Sequence, residues 1–466
     1  MLEAVIKVFD VLVDIGNFLW GTPMFVCLTA ISIIFTIGTK GFQFTHFVYS
    51  IKNTLGKRFV GVTAKEGTIS PFKATCLALC NTLGVGNIVG VSLAVSLGGP
   101  GAIFWIWVAG ILALSIKYAE ITLGVKYREK DPATGMYRGG FIWYVEKGLG
   151  KKWKWLSVVY AVVLTVVYIN APAVQVNSAV SAVTNCFPGI PTLLLGTIFA
   201  LIVFFILNGG LKRVSGFAEA VVPVMAGAYF ILTLLVLILN ITELPAAFGA
   251  IFYHAVTDTK AITGGFGGAT VAAALRYGIA RGFYSNGAGT GDSPMAHAAA
   301  DVEHPSQQGM WGITEVVIDV LVCTCTGLAV LVTGTWETGL SGAPLTASAF
   351  SAAFHSTTFG NIFVAITIVL FAITTATACG HYGSICLGYL TKSKVIRFLY
   401  ICVISLWAVF ECIPTFVENI SFFWSVGDFN VAITIFLNLI ALFLLRKDVF
   451  QTTEDFRKSI STQKQK

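Results

Sequence analysis

Apolar segments of membrane-spanning length recur along this chain, and polar residues collect between them. A transmembrane helix needs about 20 consecutive, mainly apolar residues. Eleven segments meet this requirement, at residues 23–44, 71–97, 100–127, 153–184, 190–208, 214–240, 264–300, 306–333, 359–390, 394–413 and 421–445. The pattern predicts an all-α membrane protein with about eleven transmembrane helices.

Two further segments have helical patterns but lack the length or apolarity of a span. In residues 1–20, polar side chains recur every three or four positions, as at Lys7, Asp10 and Asp14. We therefore expect an amphipathic helix that lies in the membrane interface. The segment 341–357 is semi-polar, and we expect it to form a short helix on the outer side that caps a binding site between the spans.

The composition supports an integral membrane protein. Of the 466 residues, 56% are hydrophobic and only 11% are charged, whereas soluble proteins carry about 25% charged residues. The net charge of +7 comes from short connections, which argues against nucleic-acid binding. The ten cysteines lie mostly in predicted helices and form no Cys-x-x-Cys motif. We therefore expect neither a metal centre nor a disulfide framework.

Basic residues are distributed unevenly between the two sides of the predicted spans. They concentrate in the connections 45–70 and 128–152 and in the tail 446–466, whereas the connection 334–358 contains no Lys or Arg. Cytoplasmic loops are enriched in these residues. We therefore predict a plasma-membrane protein whose N-terminus is outside and whose tail, residues 446–466, is cytoplasmic.

The spans divide into one peripheral helix and two sets of five. The peripheral helix covers residues 21–45, and the two sets cover residues 71–240 and 264–445. Each set opens with a glycine-rich interruption of its first span. Because five is odd, the two sets enter the bilayer from opposite sides, as the inverted repeats of secondary transporters do.

The first interruption is Asn81–Asn87, which contains Gly84 and Gly86. In hydrocarbon each unpaired backbone group is costly, so non-helical backbone survives only where it lines a cavity or binds a ligand. We expect two half-helices, of which the second offers amide groups to a carboxylate and the first offers carbonyl groups to a cation. Alternatively, Gly86 and Gly90 form only a helix-packing face.

The second interruption, Ser285–Gly291, follows Arg276 and Arg281 and precedes Asp292. Charged residues at this depth are costly and are usually paired or functional. Two interpretations remain open. Either Arg281 and Asp292 pair across the broken helix and hold it open, or they contact the ligand.

Polar side chains also occur inside two other spans. Gln175 follows Pro172, which frees a backbone carbonyl, and its amide group can contact a ligand or join neighbouring helices. The hydroxyl groups of Thr374, Thr375 and Thr377 either face a site or bond back to their own helix.

Two clusters of titratable residues favour structural roles. Lys117 and Glu120 are three positions apart on one helix face, and they predict an ion pair near the inner boundary of the membrane. The cluster from His297 to His304, which includes Asp301 and Glu303, resembles metal ligands. Its spacing is not His-Glu-x-x-His, so we expect a solvated cytoplasmic turn.

Several motifs resemble those of the alanine/glycine:cation symporter family, the sodium:alanine symporters. They are Gly98–Trp105 and Lys117–Glu120 within the stretch Asn81–Arg128, then Arg281–Asn286, Pro294–Ala300 and Val302–Pro305. The likeness covers residues 20–445. It implies the leucine-transporter fold, with one helix before a ten-helix core, and sodium-driven uptake of small neutral amino acids.

The resemblance also implies which residues form the site. By position, the substrate contacts are expected at Gly84, Val85, Gly86, Asn87, Gln175, Phe283, Ser285, Asn286, Thr375 and Cys379. The sodium ion is expected near Asn81, Thr82 and Gly84 and at the hydroxyl groups of Thr374 and Thr375. Sodium is then the co-transported ion, and we expect no catalytic residues and no other metal.

The chain departs from the family pattern at three places. Gly287 replaces the acid of the usual Ser-Asn-Glu-Ala-Gly motif, Cys379 replaces a usual tryptophan, and Gly139–Tyr144 replaces a usual Gly-Gly-Pro-Met-Tyr-Tyr run. Loss of the indole enlarges the pocket, so we expect a substrate larger than alanine or a broader selectivity. Loss of the acid leaves the number of coupled cations open.

We therefore expect a monomeric secondary active transporter that carries an amino acid with sodium across the lipid bilayer by alternating access. Proton coupling is the alternative among transporters. A channel would show a polar stripe along several spans, and a membrane enzyme would show convergent acids, histidines or cysteines within the bilayer. The spans lack a polar stripe, which argues against a channel. The acids lie mostly at the ends of spans, which argues against a membrane enzyme.

Overall fold

The computed structural model describes residues 15–16, 18–57, 64–132, 134–257, 270–414 and 420–464. The described helices, in chain order, are α1 (Thr22–Gly38), α2 (Phe42–Thr45), α3 (Phe47–Thr54), α4 (Pro71–Thr82), α5 (Val91–Gly98), α6 (Gly101–Lys126), α7 (Phe141–Tyr144), α8 (Lys154–Cys186), α9 (Thr192–Leu207), α10 (Gly210–Leu239), α11 (Leu244–Val256), α12 (Val271–Asn286), α13 (Ser293–His297), α14 (Pro305–Val332), α15 (Gly342–Ala353), α16 (Thr357–Leu390), α17 (Lys394–Phe410), α18 (Ile420–Leu444) and α19 (Arg446–Lys464). A short antiparallel hairpin, β1 (Glu129–Lys130) and β2 (Tyr137–Arg138), lies between α6 and α7. The interfacial helix predicted at 1–20 falls largely on residues 1–14 and 17, which lie outside the described residues.

Each of the eleven predicted spans coincides largely with one long helix or with a broken pair of helices, and the first span also includes most of the short helix α2. The second span contains α4 and α5, and the seventh contains α12 and α13. By length and composition alone, five described helices qualify as membrane spans, and the bent pair that begins with α4 makes a sixth. Helices α1 and α9 are apolar but shorter. Helix α15 confirms the short helix predicted within 341–357.

Equivalent helices of the two five-helix sets pack against each other. The second helices of the sets, α6 and α14, are in contact, and so are the third helices, α8 and α16. The first, broken helices run in opposite directions. Ile69, just before α4, donates its N–H to the carbonyl of Ala299 after α13 at 2.9 Å and accepts the N–H of Asp301 at 2.8 Å. This is the packing expected of an inverted repeat.

Two helix ends with basic residues contact the C-terminal helix on one face of the molecule. Lys40, just after α1, pairs with Glu454 of α19 at 3.1 Å. Lys126, at the end of α6, pairs with Asp448 of the same C-terminal helix at 2.8 Å. The ends of the first and third spans therefore meet the C-terminal helix on the same side.

The outer surface and the interior differ as expected for a protein in lipid. Helices α10 and α17 expose large apolar side chains, such as Val224 at 69% and Leu406 at 69%. Polar and charged side chains, among them Lys117, Glu315 and Asp319, are buried in the interior around the two interruptions. An apolar exterior over a polar interior suits a protein whose function lies between its helices.

Candidate functional site

The first interruption divides one span into two half-helices. Helix α4 ends at Thr82, the chain leaves helical geometry at Leu83, and the helix that resumes is inclined by 63° to the first. A π-helical turn, Gly86–Gly90, leads into α5. A Cβ atom at Gly84 would lie 2.9 Å from Oγ1 of Thr375 on α16. Glycine is therefore needed at this position because the break approaches α16 closely.

The second interruption is made by three glycines at alternate positions. Gly287, Gly289 and Gly291 have φ angles of +58°, +87° and +78°. Residues with a Cβ atom adopt such left-handed angles only under strain. Asp292 then begins α13, because its Oδ1 accepts the backbone N–H of Ser293 at 2.6 Å. The glycines thus keep this stretch of backbone out of the helix.

A cavity of about 100 Å³ lies between the two interruptions. Its described lining residues are Asn81, Thr82, Gly84, Gly86, Asn87, Val167, Tyr168, Asn170, Ala171, Val174, Gln175, Tyr284, Ser285, Gly287, Thr290, Asp292, Thr375, Cys379, Gly427 and Val431. One water molecule needs roughly 10–15 Å³ by this measure. The cavity therefore has room for the heavy atoms of a small organic molecule.

Most of the residues proposed for the site line this cavity. Those expected to contact the substrate and found in the lining are Gly84, Gly86, Asn87, Gln175, Ser285, Thr375 and Cys379. Asn81 and Thr82, expected near the sodium ion, also line it. The structure thus brings together residues from four parts of the chain that are far apart in the sequence, namely the first interruption, α8, α12 and α16.

Four of the proposed residues do not line the cavity. The side chains of Val85 and Phe283 are buried away from it. Asn286 uses its Oδ1 to accept the backbone N–H of Ala288 at 2.8 Å. The hydroxyl group of Thr374 donates to carbonyl groups of the preceding turn of its own helix. In this structure the side chain of Asn286 supports the backbone of the second interruption, and that of Thr374 supports α16.

A buried carboxylate that the sequence analysis did not single out joins the two interruptions. Asp319, on α14, is only 1% exposed. Its Oδ1 accepts hydrogen bonds from Asn87 Nδ2 at 2.5 Å and from Ser285 Oγ at 2.7 Å. Asn87 Oδ1 in turn accepts the N–H of Gly84 at 2.9 Å. One acid therefore fixes a side chain of each interruption and, through Asn87, the backbone of the first.

Asp292 makes a second link between the interruptions and is the one charged side chain among the described lining residues. Its Oδ2 accepts hydrogen bonds from Asn81 Nδ2 at 2.9 Å and from the Tyr168 hydroxyl at 2.5 Å. The interpretation in which Asp292 pairs with Arg281 is wrong. The Arg281 guanidinium lies 5.6 Å from the ring centre of Tyr284 instead. The hydrogen-bond donors to this carboxylate are therefore neutral side chains and not the guanidinium group of Arg281.

Lys117 and Glu120 lie at the second interruption, so their expected position near the inner membrane boundary is wrong. Both side chains are fully buried, with Lys117 Nζ 3.8 Å from Glu120 Oε1. The ammonium group is closer to Glu315 Oε1, at 3.1 Å. It also donates to the carbonyl oxygen of Asn286 at 3.0 Å, where α12 ends. The pair is structural, but it belongs to the interior of the site.

His297 is also buried, so the expected solvated turn is wrong at this residue. Its Nε2 is 3.1 Å from Glu315 Oε2, and its Nδ1 is 2.6 Å from Gln308 Nε2. The glutamine amide donates to Nδ1, which leaves the proton on Nε2 to donate to the carboxylate. Among the described residues, no group of three or more His, Cys, Asp and Glu side chains is arranged to hold a metal ion.

Three buried oxygen atoms of the lining have no hydrogen-bond partner within the part of the chain that the structure describes. They are Thr82 Oγ1, Thr375 Oγ1 and Gln175 Oε1. A buried polar atom without a partner costs about 1–3 kcal/mol. We expect these atoms to be satisfied by what the cavity holds, and oxygen atoms suit a sodium ion or an ammonium group.

The sequence analysis missed several residues of the site, and only some of them could have been recognised from the sequence. Glu315 and Asp319 are acids inside an otherwise apolar span, and the rule that intramembrane acids are functional would have selected them. Tyr168 and Tyr284 gave no such signal, because aromatic residues are common in membrane helices. Their place in the cavity follows only from the packing.

Two broken helices around a cavity in an inverted repeat define a secondary transporter. The sequence model of the Sodium:alanine symporter family matches residues 5–466 of this chain. The chain belongs to this family. It is an integral membrane protein and a sodium-coupled amino-acid symporter, not an enzyme.

Characterised and uncharacterised relatives align with nearly the whole chain. An uncharacterized transporter, YflA of Bacillus subtilis, is 39% identical, with 97% of this chain and 96% of the relative covered. The sodium/alanine symporter AgcS of Methanococcus maripaludis is 35% identical, with 95% and 96% covered. The probable sodium/glutamine symporter GlnT of Bacillus subtilis is also 35% identical, with 97% and 91% covered. Identity alone therefore does not separate alanine from glutamine.

Solved transporter structures share the fold at low sequence identity. MhsT in complex with L-phenylalanine matches with a TM-score of 0.61 and 14% identity, covering 84% of this chain and 93% of that one. A sodium-coupled sialic acid symporter matches with a TM-score of 0.55 and 13% identity, covering 85% and 82%. These matches confirm the leucine-transporter fold.

Proposed function

We propose that this protein imports a small neutral amino acid with sodium by alternating access, and that it accepts substrates larger than alanine. The cavity between the two interruptions carries this proposal. Its volume of about 100 Å³ suits an amino acid with a short side chain. Cys379, rather than a bulky aromatic residue, forms part of its wall, with Sγ 3.1 Å from Asn81 Oδ1. A thiol leaves more space for a substrate side chain than an indole does.

The substrate carboxylate binds at the first interruption, where the second half-helix begins. The N-terminal end of a helix carries partial positive charge and free N–H groups. Gly86 lines the cavity at this end, and the absence of a side chain lets an anion approach the backbone. The substrate contacts are completed by Asn87, Ser285 and Gln175, which face the same cavity.

The sodium ion binds between the end of α4 and helix α16. Thr82 Oγ1 and Thr375 Oγ1 are buried oxygens without a partner among the described residues, and Gly84 brings the break to Thr375. The carbonyl groups at the end of α4 have no following helical turn to bond with. Hydroxyl and carbonyl oxygens of this kind are the ligands that hard cations take. Thr374 contributes by holding this turn of α16.

One sodium ion supplies enough energy for accumulation. A membrane potential of about 100 mV contributes ~2.3 kcal/mol per charge, and a tenfold sodium gradient contributes ~1.4 kcal/mol. The sum, ~3.7 kcal/mol, supports accumulation of a neutral amino acid by roughly a few hundred-fold. Sodium coupling at a single site therefore suffices for nutrient uptake.

The proposed orientation places the N-terminus outside and the C-terminal helix in the cytoplasm of the plasma membrane. Lys40, Lys126 and the helix that contains Arg446 and Lys447 lie on one face, and cytoplasmic loops are rich in such residues. We also propose that the protein acts as a monomer, since the cavity is complete within one chain.

Uptake and competition in proteoliposomes test the proposal. Labelled alanine uptake is measured with an inward sodium gradient and with choline in place of sodium, and unlabelled amino acids of increasing size compete. We expect uptake only with sodium and competition by amino acids larger than alanine, such as glutamine. Equal uptake in choline, or competition restricted to alanine and glycine, contradicts the proposal.

A further inference from the structure

We propose that the ammonium group of Lys117 is a built-in cation of the second interruption, and that each transport cycle therefore couples to one sodium ion. The inference rests on the proposed function and adds the ion stoichiometry to it. In transporters of this architecture, the ends of broken helices bind cations. Here the lysine side chain fills that position at the second interruption.

Four oxygen atoms from three parts of the chain surround Lys117 Nζ. Two are the carbonyl oxygens of Asn286 at 3.0 Å and Gly287 at 3.5 Å. The other two are carboxylate oxygens of Glu315 at 3.1 Å and Glu120 at 3.8 Å. Backbone carbonyl and carboxylate oxygens are the groups that also coordinate hard metal cations in proteins.

The charges at this point require a cation. Asn286 is the last residue of α12, and the C-terminal end of a helix carries partial negative charge. The carboxylate of Glu315 adds formal charge, Glu120 adds a further acceptor oxygen, and the side chains of both acids and of Lys117 are 0% exposed. Removing one partner of such a buried group leaves a strongly unfavourable charge. A covalently attached ammonium group meets this requirement throughout the transport cycle.

Lys117 lies directly behind the backbone that lines the cavity. A Cβ atom at Gly287 would be 3.7 Å from Lys117 Nζ and 3.5 Å from Thr82 Cγ2, and Gly287 lines the cavity. The fixed positive charge therefore disfavours a second mobile cation at this interruption. It leaves the first interruption, with Thr82 and Thr375, as the place for the transported ion.

The first test measures stoichiometry with the wild-type protein. Proteoliposomes are prepared at zero membrane potential with a tenfold inward sodium gradient and a tenfold outward gradient of labelled alanine. With one sodium per amino acid, the two gradients balance and no net flux occurs. With two, the sodium gradient prevails and alanine accumulates further, which would overturn the inference.

The second test removes the ammonium group. Lys117→Met keeps most of the side-chain volume, and Lys40→Met, which breaks the exposed pair with Glu454, is the matched control. Thermal unfolding is measured in sodium chloride and in choline chloride at equal ionic strength. We expect Lys117→Met to be stabilised by sodium more than the wild type or the control, because a sodium ion enters the vacated oxygen cage.

A double variant tests whether the sodium effect in the second test depends on the oxygen atoms around Lys117. In Lys117→Met combined with Glu315→Gln, one carboxylate of the cage is neutral, so the additional stabilisation by sodium is expected to disappear. Equal sodium effects in the single variant and the wild type contradict the inference. If Lys117→Met does not fold in choline but folds in sodium, the inference is supported. If it folds in neither salt, the wild-type flux balance decides.

The outcomes separate this inference from the proposed function. Wild-type uptake that needs no sodium would refute the proposed function. Sodium-dependent uptake that balances at a ratio of two ions would leave the proposed function intact and refute only the role of Lys117.

Discussion

Replacing Asp319 by asparagine tests whether this acid positions the substrate site. The carboxylate accepts hydrogen bonds from Asn87 at 2.5 Å and Ser285 at 2.7 Å, and it does not line the cavity. A charged acceptor contributes about 1 kcal/mol more per bond than a neutral one. The substitution therefore weakens the positioning of both side chains by about 2 kcal/mol, which corresponds to a roughly 30-fold increase in the substrate half-saturation concentration.

The assay is sodium-driven alanine uptake by purified Asp319→Asn in proteoliposomes, together with thermal unfolding. Glu219→Gln is the matched control, because Glu219 pairs with Lys73 at 3.2 Å at a partly exposed position away from the cavity. We expect the half-saturation concentration to rise in Asp319→Asn alone. Thermal stability is expected to change little, because the desolvation cost of the buried carboxylate is removed and this offsets the weaker hydrogen bonds. A half-saturation concentration within twofold of the wild type would refute the positioning role.

Three other substitutions address the sodium ion, the pocket size and the first break. Thr375→Ala is expected to raise the sodium half-saturation concentration of uptake about tenfold or more, because an oxygen ligand is lost. Cys379→Trp is expected to suppress competition by glutamine relative to alanine, because an indole fills the cavity that Cys379 lines. Gly84→Ala is expected to abolish uptake, because its Cβ would lie 2.9 Å from Thr375 Oγ1, whereas Gly227→Ala, with open space around it, is expected to retain it.

Each of these three expectations has a contrary result. An unchanged sodium half-saturation in Thr375→Ala would remove this residue from the ion site. Glutamine competition that survives in Cys379→Trp would separate residue 379 from substrate size. Wild-type uptake by Gly84→Ala would show that the close approach of the break to α16 is not needed.

The spans and both interruptions could be predicted from the sequence because their signals are local. A span is a run of apolar residues, and an interruption is a cluster of glycines within it. Gly287, Gly289 and Gly291 have left-handed φ angles, so the chemistry of the residues themselves specifies the break. The inverted repeat followed from counting the spans between the two interruptions.

The partners of the buried charges could not be predicted, because they depend on which helix faces meet. Lys117 and Glu120 share a helix face, so the sequence predicts their contact, but Glu315 lies closer to the ammonium group. Asp292 and Arg281 are near each other in the sequence and opposite in charge, yet Asp292 accepts hydrogen bonds from Asn81 and Tyr168 instead. The partner of each buried charge depends on the distances between helices. The spacing of residues along one helix does not reveal those distances.

The most direct test of sodium-coupled transport through this cavity is amino-acid-driven entry of labelled sodium. Proteoliposomes without an initial sodium gradient receive external alanine, and the entry of ²²Na⁺ is followed with the membrane potential held at zero. We predict that alanine accelerates sodium entry in the wild type and not in Gly84→Ala. Alanine uptake without accompanying sodium entry would contradict the account.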